Sequence, residues 1–119
     1  MKHDLIHNIT AFLLALKFNP KCKGFQYLRQ AVVLSVKRGN GVCTLKRDIY
    51  PELVKTFSQS RPNIERGMAN AIEAAFLRVD LDDLEKIFGG TINPDSGKPT
   101  VKELIAAAGR HILVRMNEE

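Results

Sequence analysis

The sequence predicts an all-α single domain of six helices, and three observations support this fold class. Apolar residues recur at helical spacing, no segment alternates as a β-strand would, and short breaks rich in Gly and Pro separate the helical segments. The 119 residues can bury one core without a metal or a disulfide. We therefore expect residues 1–119 to form one packed unit, with no linker, repeat or low-complexity tract.

Helices are predicted at 3–17, 24–37, 44–57, 61–78, 81–88 and 100–115. Residues that favour turns or a left-handed cap lie between them: Asn19-Pro20 and Gly24, Gly39-Asn40-Gly41, and Gly89-Gly90. Pro51 falls inside the third pattern, so that helix should kink or begin as a looser turn before Glu52. Thr100 and Glu103, directly after Pro99, form a capping-box pattern that sets the start of the last helix.

The third and fourth helical patterns meet across a short polar break, Ser58-Gln59-Ser60-Arg61. Two helices joined this tightly are typical of a helix-turn-helix, whose second helix reads DNA bases. Ser60 can accept a hydrogen bond from an unpaired backbone N–H as an N-cap, and Pro62 falls in the first turn, where its missing N–H has no consequence. The start of the fourth helix is therefore well specified.

At about 100° per residue, the fourth helix has two opposite stripes. The apolar stripe comprises Ile64, Met68, Ala71, Ile72, Ala75, Phe76 and Val79. The polar stripe comprises Asn63, Arg66, Asn70 and Glu73. We expect Ile64, Met68, Ile72 and Phe76 to form a buried seam against the second and third helices, which leaves the polar stripe free to face a DNA groove. Any amphipathic surface helix shows such periodicity, so the pattern alone does not establish DNA reading.

The net charge of +5 is unevenly distributed along the chain. Residues 1–66 hold twelve basic and four acidic residues, a net charge of +8, whereas residues 67–119 hold six and nine, a net charge of −3. A basic half that ends inside the fourth helix suits a phosphate-binding surface, because neutralising DNA phosphates releases condensed counterions. Such a charge also aids solubility, and it would equally attract RNA, an acidic protein or an anionic membrane.

The cysteines and the apolar runs argue against a zinc site and a membrane protein. Cys22 and Cys43 have neither CxxC spacing nor a nearby His pair, and without a signal peptide they are interpreted as reduced cytoplasmic thiols. The longest apolar run, from Ile9 to Leu16, covers about two helical turns, which is too short to span a bilayer. No metal or other cofactor is predicted.

Enzymatic machinery is not recognisable in the sequence. His3, His7 and His111 are interpreted as surface residues rather than as acid/base groups. The segment 93–98 lacks the first Gly and the preceding strand of a phosphate loop, and is interpreted as a turn. An acidic cluster without EF-hand spacing is explained as negative charge that complements a helix macrodipole; it comprises Asp80, Asp82, Asp83 and Glu85.

Several segments together resemble one known family. They are Lys23-Gly-Phe-Gln-Tyr-Leu-Arg29, Leu45 to Tyr50-Pro51, Ile64-Glu-Arg66, Ala71-Ile-Glu-Ala-Ala75, Phe88-Gly89 and Lys98-Pro-Thr100. The chain resembles, from about Ile9 to Leu113, the DNA-binding effector domain of the sporulation stage-zero master response regulator of endospore-forming Firmicutes. The resemblance implies six helices, a helix-turn-helix formed by helices three and four, and head-to-tail binding of tandem domains to promoter boxes.

The resemblance also implies transcription activation and repression, with residues 79–92 contacting the polymerase sigma subunit; Asp83 and Glu85 are the candidate contacts. The family joins this domain to a phosphoacceptor receiver, for which 119 residues leave no room. The chain is therefore expected to be an excised effector domain or a stand-alone relative. Glu65 and Arg66 match the family's reading helix, whereas Asn63, Ala69 and Asn70 replace basic or His side chains, so base preference or affinity is expected to differ.

The leading hypothesis is a cytoplasmic, non-enzymatic regulator that binds double-stranded promoter DNA with its fourth helix in the major groove. The candidate base-reading residues are Arg66, Glu65, Asn63 and Asn70, and the candidate phosphate contacts are Lys55, Ser60 and Arg61. Glu65 also lies near the apolar flank of the helix, so a structural role for its carboxylate stays open. The alternative is a protein-interaction module with the same fold that has lost specific DNA reading.

Overall fold

The computed structural model describes residues 2–39, 44–88 and 98–118, which form six α-helices, one π-helical turn and no β-strand. The helices are α1 (Lys2–Ala15), α2 (Lys23–Lys37), α3 (Tyr50–Phe57), α4 (Arg61–Phe76), α5 (Leu81–Phe88) and α6 (Val101–Glu118), and the π-helical turn is Leu45–Ile49. The predicted all-α fold is confirmed. Cys43, Asn40-Gly41, Gly89-Gly90 and most of the predicted turn at 93–98 lie outside the described residues.

The helices surround α2, which packs against α1, α3, α4 and α6. Its face toward these neighbours is apolar and buried: Phe25, Tyr27, Leu28, Ala31, Val32 and Val33. The rings of Phe12 and His111, with centroids 5.0 Å apart, join α1 to α6 on the far side of the core. Within the described ranges, no helix combines the length and the apolar character that crossing a membrane requires.

The helices α2 and α4 approach each other closely at Gly24 and Gly67. A methyl group at Gly24 would overlap the carbonyl oxygen of Gly67 and lie 2.8 Å from the Cβ of Ala71. A methyl group at Gly67 would lie 3.0 Å from the ring of Tyr27. Two helices can approach this closely only where one of them presents backbone instead of side chain. The pair of glycines therefore sets the distance between α4 and the centre of the core.

The segment leading into α3 explains the unusual position of Pro51. Thr44 caps the π-helical turn: its hydroxyl accepts from the Arg47 N–H at 3.3 Å, and its own N–H donates to Asp48 at 2.7 Å. Pro51 then falls in the first turn of α3, where no intrahelical N–H is needed. The expectation of a looser turn before Glu52 is confirmed, and the turn is π-helical.

The connection between α3 and α4 consists of residues 58–60. Ser58 ends α3 in a left-handed conformation with φ of 53°, and Ser60 begins α4 by accepting a hydrogen bond from the Asn63 N–H at 3.3 Å. Pro62 occupies the first turn of α4. Both the predicted N-cap and the short connection are confirmed.

The apolar stripe of α4 is buried, as its periodicity predicts. Ile64, Met68 and Ile72 are at most 2% exposed. Phe76 is only half-buried, because it closes the helix at the edge of the core; its ring meets Phe18 and Phe88 edge-on, at centroid distances of 6.2 and 5.9 Å. The helix ends there, two residues before the predicted end at 78.

The start of α6 forms the predicted capping box. The Thr100 N–H donates to the Glu103 carboxylate at 2.8 Å, and the Glu103 N–H donates to the Thr100 hydroxyl at 3.1 Å. Each side chain thereby satisfies a backbone donor that the first helical turn leaves unpaired. These two hydrogen bonds set the start of α6, which packs against α1 and α2.

Replacing Gly24 by Ala should destabilise the fold by about 1–3 kcal/mol, because backbone and not a flexible side chain blocks the new methyl group. Inside a helix, the same change ordinarily stabilises by about 1 kcal/mol, so the sign of the effect is informative. Thermal and urea unfolding of Gly24→Ala would measure it. The matched change Gly67→Ala meets only the Tyr27 ring and should be tolerated better. An unfolding midpoint for Gly24→Ala at or above that of the parent would contradict this account of the helix crossing.

Candidate nucleic-acid interface

The polar stripe of α4 is exposed along its whole length, as predicted. Arg66 lies in its middle, and among the described residues its guanidinium forms no ion pair. Asn63 and Asn70 flank it one turn away on either side. At the far end of the stripe, the Glu73 carboxylate lies 3.8 Å from the Lys98 ammonium. The stripe therefore offers, between two amides, a guanidinium that pairs with no carboxylate in the described part of the chain.

The N-terminal end of α4 faces solvent and carries groups that suit an anion. The Ser60 hydroxyl uses a lone pair for the Asn63 N–H, so its own proton remains available to donate. The Asn63 amide nitrogen donates to the Gln59 side chain at 3.4 Å. Lys55, exposed in the last turn of α3, adds a positive charge. No acidic residue lies in the first turn of α4, so the partial positive charge of the helix terminus is not offset by a carboxylate there.

Arg61 connects α3 and α4 through two contacts. Its Nε donates to the Glu65 carboxylate at 2.6 Å, one turn along α4. The same guanidinium lies over the Tyr50 ring of α3, 4.8 Å from the centroid. The side chains of Arg61 and Glu65 are both 42% exposed, so Glu65 is a surface carboxylate held by an ion pair and not a buried edge of the core.

The charges of Arg61 and Glu65 also affect the pKa of the Tyr50 hydroxyl. Burial raises the pKa of Tyr50, the Glu65 carboxylate raises this pKa further, and the Arg61 guanidinium opposes both effects. The ring is 7% exposed, so it gives Arg61 a fixed apolar platform. Sequence analysis did not single out Tyr50, because its proximity to Arg61 depends on how α3 folds back on α4.

A cleft of about 330 Å³ lies beside the polar stripe, between α4 and the N-terminal end of α2. Asn70 belongs both to the stripe and to the cleft lining. Three basic residues, Lys17, Lys23 and Arg78, line the cleft, and none of the described residues that line it carries a carboxylate. The N-cap of α2, Cys22, makes no side-chain cap bond, and no acidic residue follows it in the first turn. The cleft therefore extends the positive surface from α4 toward α2.

Sequence analysis missed these three basic residues as a group, since they belong to the loop after α1, to α2 and to the loop after α4. The packing of Gly24 on Gly67 brings the three basic residues together, and both glycines also line the cleft. The excess of basic residues before position 67 was an available signal for Lys17 and Lys23, whereas Arg78 lies in the net acidic part of the chain. This excess indicated a basic surface without locating it.

The predicted site residues fall into two groups in the structure. Those assigned to DNA lie on α4, on the last turn of α3 and in the connection between them: Lys55, Ser60, Arg61, Asn63, Glu65, Arg66 and Asn70. Asp83 and Glu85 lie apart from them in sequence, on α5, which packs against α6. Glu85 is exposed and Asp83 is partly exposed. The two groups therefore offer chemistry of opposite charge on different helices.

Residues 9–112 match the family described as sporulation initiation factor Spo0A C terminal. The match covers nearly all of the chain, and its limits agree with the resemblance found from about Ile9 to Leu113. Domains of this family bind DNA as part of a sporulation transcription factor. The chain belongs to the family of Spo0A C-terminal DNA-binding domains.

Proposed function

We propose that this chain is a sequence-specific, non-enzymatic regulator of transcription that binds promoter DNA in the bacterial cytoplasm. In this proposal, α3 and α4 act as a helix-turn-helix, and α4 enters the major groove. The observation that carries the proposal is the position of Arg66, which is exposed between two exposed amides on a helix whose opposite face is buried. Its guanidinium pairs with no carboxylate of residues 2–39, 44–88 and 98–118. An α-helix fits the major groove, where the four base pairs present distinguishable patterns.

Base reading is assigned to Arg66, Glu65, Asn63 and Asn70. A guanidinium fits guanine O6 and N7, an amide fits adenine N6 and N7, and a carboxylate accepts from cytosine N4. Arg66 is the strongest candidate because no carboxylate among the described residues competes for it. Asn63 and Asn70 are uncharged, so they add base contacts without adding attraction to phosphate.

Phosphate contact is assigned to Lys55, Ser60 and Arg61 at the junction of α3 and α4. Each is exposed and can donate to a phosphate oxygen, and such contacts position a protein on DNA without reading its sequence. The cleft lined by Lys17 and Lys23 extends this positive surface. Head-to-tail pairing of two copies on adjacent boxes belongs to the same proposal, and the resemblance to the family supports it.

Selection from a random duplex library, followed by sequencing, tests the proposal directly. We expect one enriched box, and the affinity for it should fall roughly 10³-fold or more between about 50 and about 200 mM salt if some six phosphates are contacted. No measurable duplex binding at low salt would instead favour a protein-interaction module with the same fold. Equal enrichment of all duplexes would show that the protein binds DNA phosphates but does not distinguish base sequences.

Arg66→Ala and Lys55→Ala should have opposite effects on DNA binding. The first should flatten the preference at one guanine, which amounts to a loss of about 1–3 kcal/mol of discrimination, and should leave binding to unrelated duplex nearly unchanged. The second should weaken binding to all sequences alike and reduce the salt slope by roughly one. Titration of both variants with the selected box and with unrelated duplex makes the comparison. If both lose specific and non-specific binding by the same factor, Arg66 is another phosphate contact.

The acidic surface of α5 is proposed to contact the sigma subunit of RNA polymerase through Asp83 and Glu85. Negative charge repels DNA and suits a basic patch on a protein partner. Asp82 and Asp83 also lie in the first turn of α5, where they complement the helix macrodipole. Only a functional assay separates the two roles.

Asp83→Ala combined with Glu85→Ala should leave DNA affinity intact and lower promoter activation. A reconstituted transcription assay on a promoter that carries the selected box measures the activation, and gel-shift titration measures the affinity. Asp4→Ala is a matched control, since it removes an exposed acidic residue from the first turn of α1. Unchanged transcription would show that the α5 carboxylates only complement the helix macrodipole and do not contact the polymerase.

A further inference from the structure

Arg61 has an arrangement that a simple phosphate contact does not require. Its guanidinium is held on two sides, by the Glu65 carboxylate at 2.6 Å and by the Tyr50 ring at 4.8 Å. The first contact lies within α4, and the second reaches across to α3. An exposed Arg that only meets phosphates needs neither contact, because a long flexible side chain can find the DNA backbone by itself.

Helix stability does not explain the Arg61–Glu65 pair. Arg61 is the first residue of α4, where the helix macrodipole favours negative charge and disfavours positive charge. The order, with Arg preceding Glu by four residues, is also the less favourable one for a helical ion pair. Both side chains are 42% exposed, and water screens such a pair strongly. The placement therefore points to a role outside the folding of α4.

The ion pair fixes the carboxylate that the proposed function assigns to base reading. The hydrogen bond uses Nε of Arg61 and Oε1 of Glu65. Oε2 makes no hydrogen bond or ion pair with any of the described residues, so it can accept from a base edge. The Tyr50 ring lies against the guanidinium, 4.8 Å from its centre, and this contact limits the rotation of both partners. Arg61 also offsets the repulsion between the carboxylate and the phosphates that border the groove.

We propose that Arg61, stacked on Tyr50, is a positioning residue that holds Glu65 ready to accept the exocyclic amino group of a cytosine in the major groove. The inference rests on the proposed function of α4. The terminal nitrogens of Arg61 remain available for a phosphate, so the two roles are compatible. They differ in effect: a phosphate contact supports every sequence equally, whereas a positioning contact supports one base pair.

Arg61→Ala, Glu65→Gln and the double variant test the positioning role on the selected box and its single-base-pair substitutions. Glu65→Gln should lower the preference for one cytosine, roughly 5- to 150-fold. Arg61→Ala should lower the preference at that same base pair by a similar factor and leave the preferences at other positions unchanged. The double variant should lose no more preference there than Glu65→Gln alone. Lys55→Ala, the matched control, should leave every preference as it is in the parent.

The possible failures are distinguishable. If the parent prefers no duplex over another, the proposed function fails, and the positioning role fails with it. If the parent prefers one box but Arg61→Ala keeps the full preference at the Glu65-dependent base pair, the positioning role alone is overturned. A loss of preference at every position would also overturn it, since a merely structural defect acts in that way.

The ion pair can be tested without DNA. In the free protein, the NMR signal of the Arg61 Nε–Hε group should shift in Glu65→Gln, because its acceptor loses its charge, and should not shift in Lys55→Ala. A signal that is the same in the parent and in Glu65→Gln would show that Arg61 does not hold Glu65 in solution, and would overturn the proposal whatever the DNA results.

Discussion

The contact of Gly24 with Gly67 determines how the rest of the molecule is arranged. Because neither residue has a side chain, α4 lies directly on the backbone of α2, and Ile64, Met68 and Ile72 reach the core. A helix has one orientation about its axis at a time, so burying this stripe turns Arg66 and the flanking amides outward. The same crossing forms the floor of the basic cleft. Both the exposed stripe and the positive surface beside it therefore depend on one close backbone contact.

The α3–α4 junction adds a second level of control, which is local. The left-handed Ser58, the cap at Ser60 and Pro62 in the first turn restrict the chain over five residues. Such a junction fixes the position of Lys55 relative to α4. The stack of Arg61 on Tyr50 then adds a side-chain link across the junction. The backbone conformation of residues 58–62 sets the angle between α3 and α4. The contact of Arg61 with Tyr50 fixes the orientation of these two side chains where the helices meet.

Sequence patterns were sufficient for the features that depend on neighbouring residues. The stripes of α4, the Ser60 cap and the Thr100 capping box follow from helical periodicity and from the chemistry of unpaired N–H groups, and the structure confirms each of them. Features that join distant segments could not be predicted in this way. The Gly24–Gly67 contact, the Tyr50 platform and the cleft all require the packed arrangement of α2, α3 and α4. The half-buried state of Phe76 could not be predicted either. Helical periodicity predicts the side of the helix on which Phe76 lies, but it does not predict where along the helix the core ends.

The distribution of charge suggests how affinity and specificity are divided on the proposed interface. Along the exposed face of α4, the two amides carry no charge, Glu65 is paired with Arg61, and Arg66 has no ion-pair partner within the ranges that the structure describes. Most of the attraction to phosphate must then come from the surroundings, from Lys55 and from the basic residues of the cleft. Counterion release strengthens binding to every DNA sequence equally, whereas the paired hydrogen bonds of amide and guanidinium groups distinguish one base from another. A face with few unpaired charges therefore adds little to non-specific binding, so the contacts it makes contribute mainly to the ratio between specific and non-specific affinity.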